Sequence, residues 1–249
     1  MQNIKLTLQY DGTRYLGWQR PEKDGLRRSI SFKINEVLNR MTGEDIILHA
    51  GARTDPGVHA LALTVSFQTD ADLHPEEFLH GLNRYLPQDI AVLSAEKVPE
   101  RFRADLNAVS RTYECRICIS EIYDLFTAGF EAHCCPAPDT ELMEAAAAFL
   151  RGRHDFRAFS SGRKKKGTEK SILDIRFLRG PSRLTILITA DDFLYQMPAL
   201  IAGTLIECGS GRKSPECIPD IFAGIQKAGA PAEAKSLLLK SIQYPQPGD

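Results

Sequence analysis

Apolar and polar residues alternate along some short stretches of the chain, and in others the apolar residues recur at helical spacing. IKLTLQY, residues 4–10, alternates with period two and predicts a strand. RRSISFKINEVLNRMTG, residues 27–43, has apolar residues three and four apart and predicts a helix with Gly43 beyond its end. The pattern therefore mixes strands and helices from the start.

The rest of the first hundred residues extends this mixture into a familiar order. Strands are predicted at about 46–50 and 58–68. HPEEFLHGLNRYL, residues 74–86, predicts a second helix with Pro75 at its start, and DIAVLSAEKV, residues 89–98, predicts another strand. Together these elements predict the order β-α-β-β-α-β, which is the ferredoxin-like split unit.

The second half of the chain predicts the same order again. Its elements are a strand at 110–119, a helix at 139–152 capped by Asp139 or Thr140, a hairpin of strands at 171–180 and 182–190, a helix at 191–211, a short helix near 218–228 and a strand at 237–244. No long linker separates the two copies. We therefore predict an α+β fold of two ferredoxin-like (βαββαβ) halves, residues 1–107 and 108–249, whose sheets join around a central cleft.

Bulk composition places the chain among globular proteins. It has 249 residues, 43% of them hydrophobic and 25% charged, which are ordinary values for a folded domain of this size. The sequence contains no apolar run of the ~18 residues needed to cross a bilayer. The N-terminus lacks the basic and apolar regions of a secretory signal, so a cytoplasmic location is predicted.

Six cysteines raise the question of a metal site. Cys115 and Cys118 have the spacing of a zinc knuckle, but they lie in a predicted strand, where residues three apart point to opposite faces. Buried, inert thiols are the better interpretation, and no metal is expected. An unrelated metal protein using His59, His74 and His80 with the cysteines remains an alternative, although these residues lack ligand spacing.

The net charge of −1 conceals two basic clusters. Residues 151–170 contain eight Lys or Arg against two acids, and the basic loop 163–170 within them includes Arg163, Lys164, Lys165 and Lys166. A second cluster near the N-terminus includes Arg14 and Arg20. Aromatic residues are interleaved with both clusters, which favours RNA binding through phosphate contacts and base stacking over a merely solvated surface.

The stretch GARTDPGVHA, residues 51–60, connects two predicted strands. Asp-Pro-Gly is ordinary turn chemistry, so a simple hairpin turn is one interpretation. The alternative is that Arg53 and Asp55 are functional residues held near the cleft. Tyr113 could face them from the first strand of the second half, since it shares a strand face with Cys115 and Ile117. A tyrosine on such an apolar face is more often part of the core.

Several motifs together resemble one family, the tRNA pseudouridine synthase A (TruA) family. They are, in chain order, YDGTRYLGWQ (10–19), GARTDPGVHA (51–60), LNRYLPQDIAV (82–92), FRADLNAVSRTYEC (102–115), GRHDFRAFSSG (152–162) and FLYQMPALIAGTLIECGSGR (193–212). The resemblance extends from residue 4 to about 244. It implies the same paired ferredoxin-like halves that the pattern predicts.

The resemblance also implies a function. Similar proteins isomerise uridine to pseudouridine at positions 38–40 of the tRNA anticodon stem-loop, as homodimers without cofactor or metal. By the same resemblance, Asp55 is the catalytic carboxylate, Tyr113 stacks on the target base, and Arg53 occupies the space that the flipped nucleotide leaves. tRNA is the implied partner.

The chain departs from the family pattern at several positions. Where similar proteins carry an arginine that pairs with the catalytic aspartate, this sequence has Ala199, preceded by Pro198. Ser31 replaces a glutamine, Pro56 follows the aspartate, and Lys170 replaces an arginine. A second interpretation therefore stays open, namely a TruA-like paralogue with little or no activity that binds RNA or modifies a different uridine.

Overall fold

The computed structural model describes residues 1–18, 26–162 and 166–245 of the chain. Its strands are β1 (Gln2–Tyr10), β2 (His49–Ala50), β3 (His59–Thr69), β4 (Ile90–Val98), β5 (Ser110–Cys118), β6 (Ala132–His133), β7 (Gly152–Asp155), β8 (Glu169–Arg179), β9 (Arg183–Ala190) and β10 (Leu237–Gln243). Its α-helices are α1 (Ile30–Thr42), α2 (Pro75–Tyr85), α3 (Thr140–Leu150), α4 (Met197–Gly209) and α5 (Cys217–Phe222). The fold is mixed α+β.

The chain forms two compact units. One contains residues 1–109 and 239–249, and the other contains residues 110–238. The strand β10 therefore begins in the second unit and continues in the first.

The first unit is an antiparallel sheet in the order β4-β1-β3, with β2 paired to β3. The inward-facing residues of β1 are fully buried because every second position is apolar, as Ile4, Leu6 and Leu8 show. On the core side, the rings of Phe67 in β3 and Phe78 in α2 pack edge to face at 5.4 Å. The β-α-β-β-α-β order predicted for the first hundred residues is confirmed.

Helix α1 ends before Gly43, as the sequence predicts, but it begins at Ile30 rather than at residue 27. The Ser29 side chain accepts a hydrogen bond from the amide of Phe32 and so satisfies one of the free N–H groups of the first turn. At the other end, Gly43 adopts φ of 73°, and its N–H donates to the carbonyl of Asn39.

The second unit is an antiparallel sheet in the order β5-β9-β8-β7, with the two-residue β6 parallel to β5. The helix predicted at 139–152 is α3, and Asp139 is its N-cap, since the side chain accepts from the amide of Glu141. The hairpin of β8 and β9 and the closing strand β10 are also confirmed.

The helix predicted at 191–211 is wrong in its first six residues, because α4 begins only at Met197. A helix through this region would need an N–H from Pro198 to reach the carbonyl of residue 194, and proline has none. Gln196 adopts φ of 58° instead, which is left-handed and ends any helical run before it. Residues 191–196 form a connecting segment.

Two smaller expectations also need correction. The strand predicted at 46–50 pairs only over His49–Ala50, and the short helix predicted near 218–228 is Cys217–Phe222. Among the described residues, no helix is both long enough and apolar enough to cross a membrane.

Candidate active site

The stretch 51–60 is a tight turn between β2 and β3. The amide of Val58 donates to the carbonyl of Asp55 at 3.1 Å, with Pro56 and Gly57 between them. Gly57 has φ of 78°, so the four residues have the proline and the left-handed glycine of a type II turn. The turn that the residues predict is present, and it holds Asp55 at its first position.

The turn packs directly against the segment that follows β1. The amide of Trp18 donates to the carbonyl of Thr54 at 3.1 Å, and the amide of Gly57 donates to the carbonyl of Tyr15 at 3.2 Å. Gly17 lies so close that a Cβ there would be 2.2 Å from the Thr54 carbonyl oxygen. The first two sequence motifs, 10–19 and 51–60, are therefore in contact over the residues that the structure describes.

A buried hydrogen bond fixes the residue before Asp55. The hydroxyls of Tyr10 and Thr54 are 2.7 Å apart, and both residues are nearly inaccessible to solvent. Burial raises the pKa of the Tyr10 phenol well above its usual value, with a smaller opposing effect from Thr54. The phenol therefore stays neutral and protonated across the physiological range, and Thr54 is held through both its side-chain hydroxyl and its carbonyl.

The two turn residues predicted to act on substrate differ in exposure. Asp55 is partly buried, and Arg53 is exposed. A partly buried carboxylate on a rigid turn is suited to attack, because it loses little freedom when it meets the substrate. The exposed Arg53 has room to move as substrate enters.

His59 and Asp11 form a further pair at the end of the turn, which the sequence interpretation did not assign. The Nδ1 atom of buried His59 is 3.0 Å from the Asp11 carboxylate and 3.0 Å from the Gly12 amide nitrogen. Burial alone would raise the pKa of Asp11, but hydrogen bonds from Thr13 and the nearby His59 outweigh it and lower the pKa. The only sequence signal for this pair is that both residues lie inside the family motifs.

Arg14 is the described member of the N-terminal basic pair predicted to bind RNA. Its guanidinium binds the Asp89 carboxylate, which also accepts the Tyr15 hydroxyl at 2.6 Å. Burial, followed by the hydrogen bond to Asp89, raises the pKa of Tyr15. The Arg14 side chain remains 72% exposed, so the ion pair orients the guanidinium without hiding it.

In the second unit, Tyr113 lies on the buried face of β5. It is 6% exposed and lies on the same face as Cys115 and Ile117, as its sequence position predicts. The ring of Phe193 packs against the Tyr113 ring edge to face, with centroids 5.0 Å apart. The sequence interpretation did not single out Phe193, although it opens the FLYQMPALIAG motif.

A charged cluster connects β5, β8 and the segment 191–196. Lys170 donates to the Asp192 carboxylate at 2.6 Å, and the Arg111 guanidinium is 3.8 Å from the same carboxylate. The neighbouring Asp191 accepts the amide of Ser171 at 2.9 Å. Lys170, one of the departures from the family pattern, is therefore paired within its own unit.

Ala199, the position where an arginine is usual, lies in the first turn of α4. Its side chain is buried, with 6% exposure, and its carbonyl accepts the amide of Ala232 at 2.9 Å. The methyl group is therefore part of the packed interior of the second unit.

The remaining basic residues are only partly described. Lys166 is exposed. Arg20, Arg163, Lys164 and Lys165 lie outside the described residues.

Four of the six cysteines are buried, whereas Cys134 is partly buried and Cys135 is exposed. Cys115 and Cys118 are both buried, and burial raises the pKa of Cys115 to about 11. The Cys115 sulfur is 3.5 Å from the Ser236 hydroxyl. Over residues 1–18, 26–162 and 166–245, no three His, Cys, Asp or Glu side chains are grouped to hold a metal ion.

Comparison with known proteins gives consistent findings. A family model described as tRNA pseudouridine synthase matches residues 7–106 and 146–245. A "tRNA pseudouridine synthase A 2" of Clostridium tetani is 38% identical over 97% of this chain and 98% of its own length. Another protein of that name, from Clostridium perfringens, is 34% identical over 98% of this chain and 100% of its own length.

A solved structure, the archaeal box H/ACA sRNP Nop10-Cbf5 complex, matches 93% of this chain and 46% of that chain. The identity is 9% and the TM-score 0.37, a likeness too distant to bear on function.

Proposed function

Since this chain belongs to the tRNA pseudouridine synthase family, we propose that it isomerises uridine to pseudouridine at positions 38–40 of the tRNA anticodon stem-loop. The observation that carries the proposal is the turn 51–60, where close backbone packing holds a partly buried Asp55 at a defined position. An ordinary hairpin turn does not need another segment, here the one that follows β1, packed so closely that its glycine leaves no room for a Cβ atom.

Asp55 is the proposed nucleophile. Its carboxylate attacks ribose C1′, and the bond from C1′ to uracil N1 breaks with its electron pair leaving on the base. The detached uracil turns and rejoins C1′ through C5, which releases the carboxylate. The proton that C5 then carries is lost and one is gained at N1, so the product is an isomer of the substrate.

The target base must leave the helical stack before this reaction, at a cost of a few kcal/mol. We assign Tyr113 to stacking on the base, which returns ~1–3 kcal/mol. Its ring is 6% exposed and is oriented by the edge-to-face contact with Phe193, so stacking requires the ring face to be uncovered as the base enters. Arg53, exposed on the turn, fills the space that the base vacates.

RNA binding is assigned to the basic residues of both units. Arg14 supports this assignment because Asp89 holds its exposed guanidinium in one orientation. Lys166 is exposed and follows the predicted contacts Arg163, Lys164 and Lys165 in sequence. Together with Arg20, these cations bind the phosphate backbone of the tRNA. By analogy with the family, the protein acts as a homodimer in the cytoplasm.

The proposal is tested by incubating the protein with unmodified tRNA that carries uridines at 38–40 and mapping pseudouridine chemically. Wild type forms product, and Asp55→Asn lowers the rate by more than about a thousandfold while binding tRNA with near-wild-type affinity, because only the nucleophile is lost. The matched control is Asp72→Asn, an exposed carboxylate outside the turn, which leaves the rate unchanged. Full activity in Asp55→Asn would remove Asp55 from the chemistry.

A second candidate function is favoured by one observation, the buried Ala199 at the usual arginine position. It is a paralogue that binds RNA with little activity or modifies a different uridine. Tight tRNA binding by wild type without product at 38–40 would select this candidate. Product at another uridine, lost in Asp55→Asn, would select a changed specificity.

A further inference from the structure

The segment 191–196 carries two aromatic residues in different environments. Phe193 is turned to the Tyr113 ring at 5.0 Å. Tyr195, two residues later, has 47% of its surface exposed. An exposed tyrosine is not unusual in itself, so any role for Tyr195 depends on how its backbone is held.

Residues 160–162 hold that backbone from one side. The Ser160 hydroxyl donates to the Tyr195 carbonyl at 3.0 Å, and the Ser161 hydroxyl donates to the Gln196 side-chain oxygen at 2.7 Å. Gly162 lies beside them, so that a Cβ at this position would be 3.6 Å from the Tyr195 Cβ. One hydrogen bond to the Tyr195 carbonyl and one to the Gln196 side chain therefore hold the backbone from which the Tyr195 ring projects.

The residue after Tyr195 has an unusual conformation. Gln196, with φ of 58°, is the single residue other than glycine with positive φ in the described part of the chain. Such a conformation is disfavoured for a side chain of this size and persists where its surroundings determine it. Gln196 is also the N-cap residue of α4, so the positive φ lies directly between Tyr195 and the helix.

We infer that Tyr195 is a stacking site for an RNA base. The inference rests on the proposed function, and it adds a nucleobase contact to the phosphate contacts assigned above. A ring held on a fixed backbone loses little entropy when a base stacks on it, and every base presents a face that can stack. The chain also runs directly from Gly162 into the basic stretch that includes exposed Lys166, so cationic groups lie close in sequence to the residues that hold Tyr195.

Stacking and phosphate contacts can be separated by their response to salt. A phosphate contact releases counterions, so losing one changes the slope of log affinity against log salt by roughly 0.7–0.9. Losing an uncharged stacking contact lowers the affinity and leaves this slope as it was. The experiment measures tRNA affinity at several salt concentrations for wild type, Tyr195→Leu, Tyr195→Phe and Lys166→Gln.

We expect Tyr195→Leu to weaken tRNA binding about 5- to 150-fold with an unchanged salt slope. Tyr195→Phe keeps an aromatic face and stays close to wild type, whereas Lys166→Gln flattens the slope. Wild-type affinity in Tyr195→Leu, or a flattened slope in it, would overturn the stacking assignment. Failure of wild type to bind tRNA at any salt concentration would instead defeat the proposed function itself, and with it this inference.

Discussion

The turn 51–60 and the segment 191–196 both carry proposed functional residues, yet they are held in different ways. The turn is held by backbone packed on backbone. Gly12 lies so close to the Val58 carbonyl, and Gly17 to the Thr54 carbonyl, that neither position has room for a Cβ atom. The segment is held by side chains, namely the hydroxyls of residues 160 and 161 and the cluster around Asp192.

This difference has a physical consequence for tolerance to substitution. A backbone carbonyl in contact with a glycine cannot move aside without shifting the chain, whereas a surface side chain can be replaced by water. The turn is therefore expected to be rigid and to tolerate few substitutions. Rigidity suits the proposed nucleophile, Asp55. The segment should tolerate single substitutions better, because each exposed hydrogen bond can be replaced by water, although together these bonds hold the Tyr195 backbone in the native chain.

The largest expected effect is that of Gly17→Ala. The new Cβ would lie 2.2 Å from the Thr54 carbonyl oxygen, and φ of 78° adds strain. Overpacking and left-handed strain together cost about 3 kcal/mol or more, so the melting temperature falls by roughly 6–12 °C and activity is lost.

Its matched control is Gly43→Ala in the same unit. Gly43 has nearly the same φ, 73°, but a Cβ there would have nothing within 4 Å. Its cost is therefore only the conformational one, about 1–2 kcal/mol. Equal melting temperatures for the two variants would show that the close contact at Gly17 has no special importance.

An intermediate loss of unfolding free energy is expected when a hydroxyl group that makes a hydrogen bond is removed from either region. Thr54→Val leaves the buried Tyr10 hydroxyl without its 2.7 Å partner, which costs about 1–3 kcal/mol. Ser161→Ala removes an exposed hydrogen bond and costs less than about 1 kcal/mol. Urea denaturation measures both, and the ratio of the two costs tests the comparison directly.

A double variant sharpens this measurement. Tyr10→Phe combined with Thr54→Val removes both buried hydroxyls, so no polar group is left unsatisfied. Its loss of unfolding free energy should be smaller than the sum of the losses in the two single variants. Simple additivity would mean that the two hydroxyls do not depend on each other.

The smallest effect concerns the thiols, which all lie in the second unit and so report on that unit alone. At pH 8 a thiol reagent should label Cys135, which is exposed, and the partly buried Cys134, and leave the four buried cysteines protected. If damage from Gly17→Ala stays in the first unit, this pattern is unchanged in that variant.

The same thiols give a pH dependence of known sign. Burial raises the pKa of Cys115 from 9.0 to about 11, so the thiol is harder to ionise in the folded chain than in the unfolded one. The stabilisation is complete below pH 9 and is lost as the pH rises from about 9 to 11. Unfolding free energies measured over this range should fall less in Cys115→Ala, after its lower baseline is subtracted.

Prediction from sequence succeeded where local pattern decides the structure. Period-two alternation in β1, the apolar stretch of β3 and the cap at Asp139 made these elements predictable. It failed at residues 191–196, where apolar content predicts a helix but Pro198 lacks the N–H that would continue one from the preceding turn.

In the candidate site, too, some features were predictable from the sequence and others were not. Motifs made Asp55, Arg53 and Tyr113 the candidates, because residue types at fixed spacing are properties of the sequence, and their roles stay predictions. Phe193 beside Tyr113 and Asp89 beside Arg14 were not predicted, since each contact joins residues about 75 or more positions apart. Which side chain fills the space next to another depends on strand register and packing.

By itself, the sequence determined the order of the elements, the type II turn chemistry at Asp-Pro-Gly and the family to which the chain belongs. These properties follow from periodicity and residue identity, which act over a few positions. Only the tertiary structure decided that Gly17 lies against Thr54 and that residues 160 and 161 hold Tyr195 and Gln196. Such contacts form between segments far apart in the chain, and short-range pattern contains no information about the distance between them.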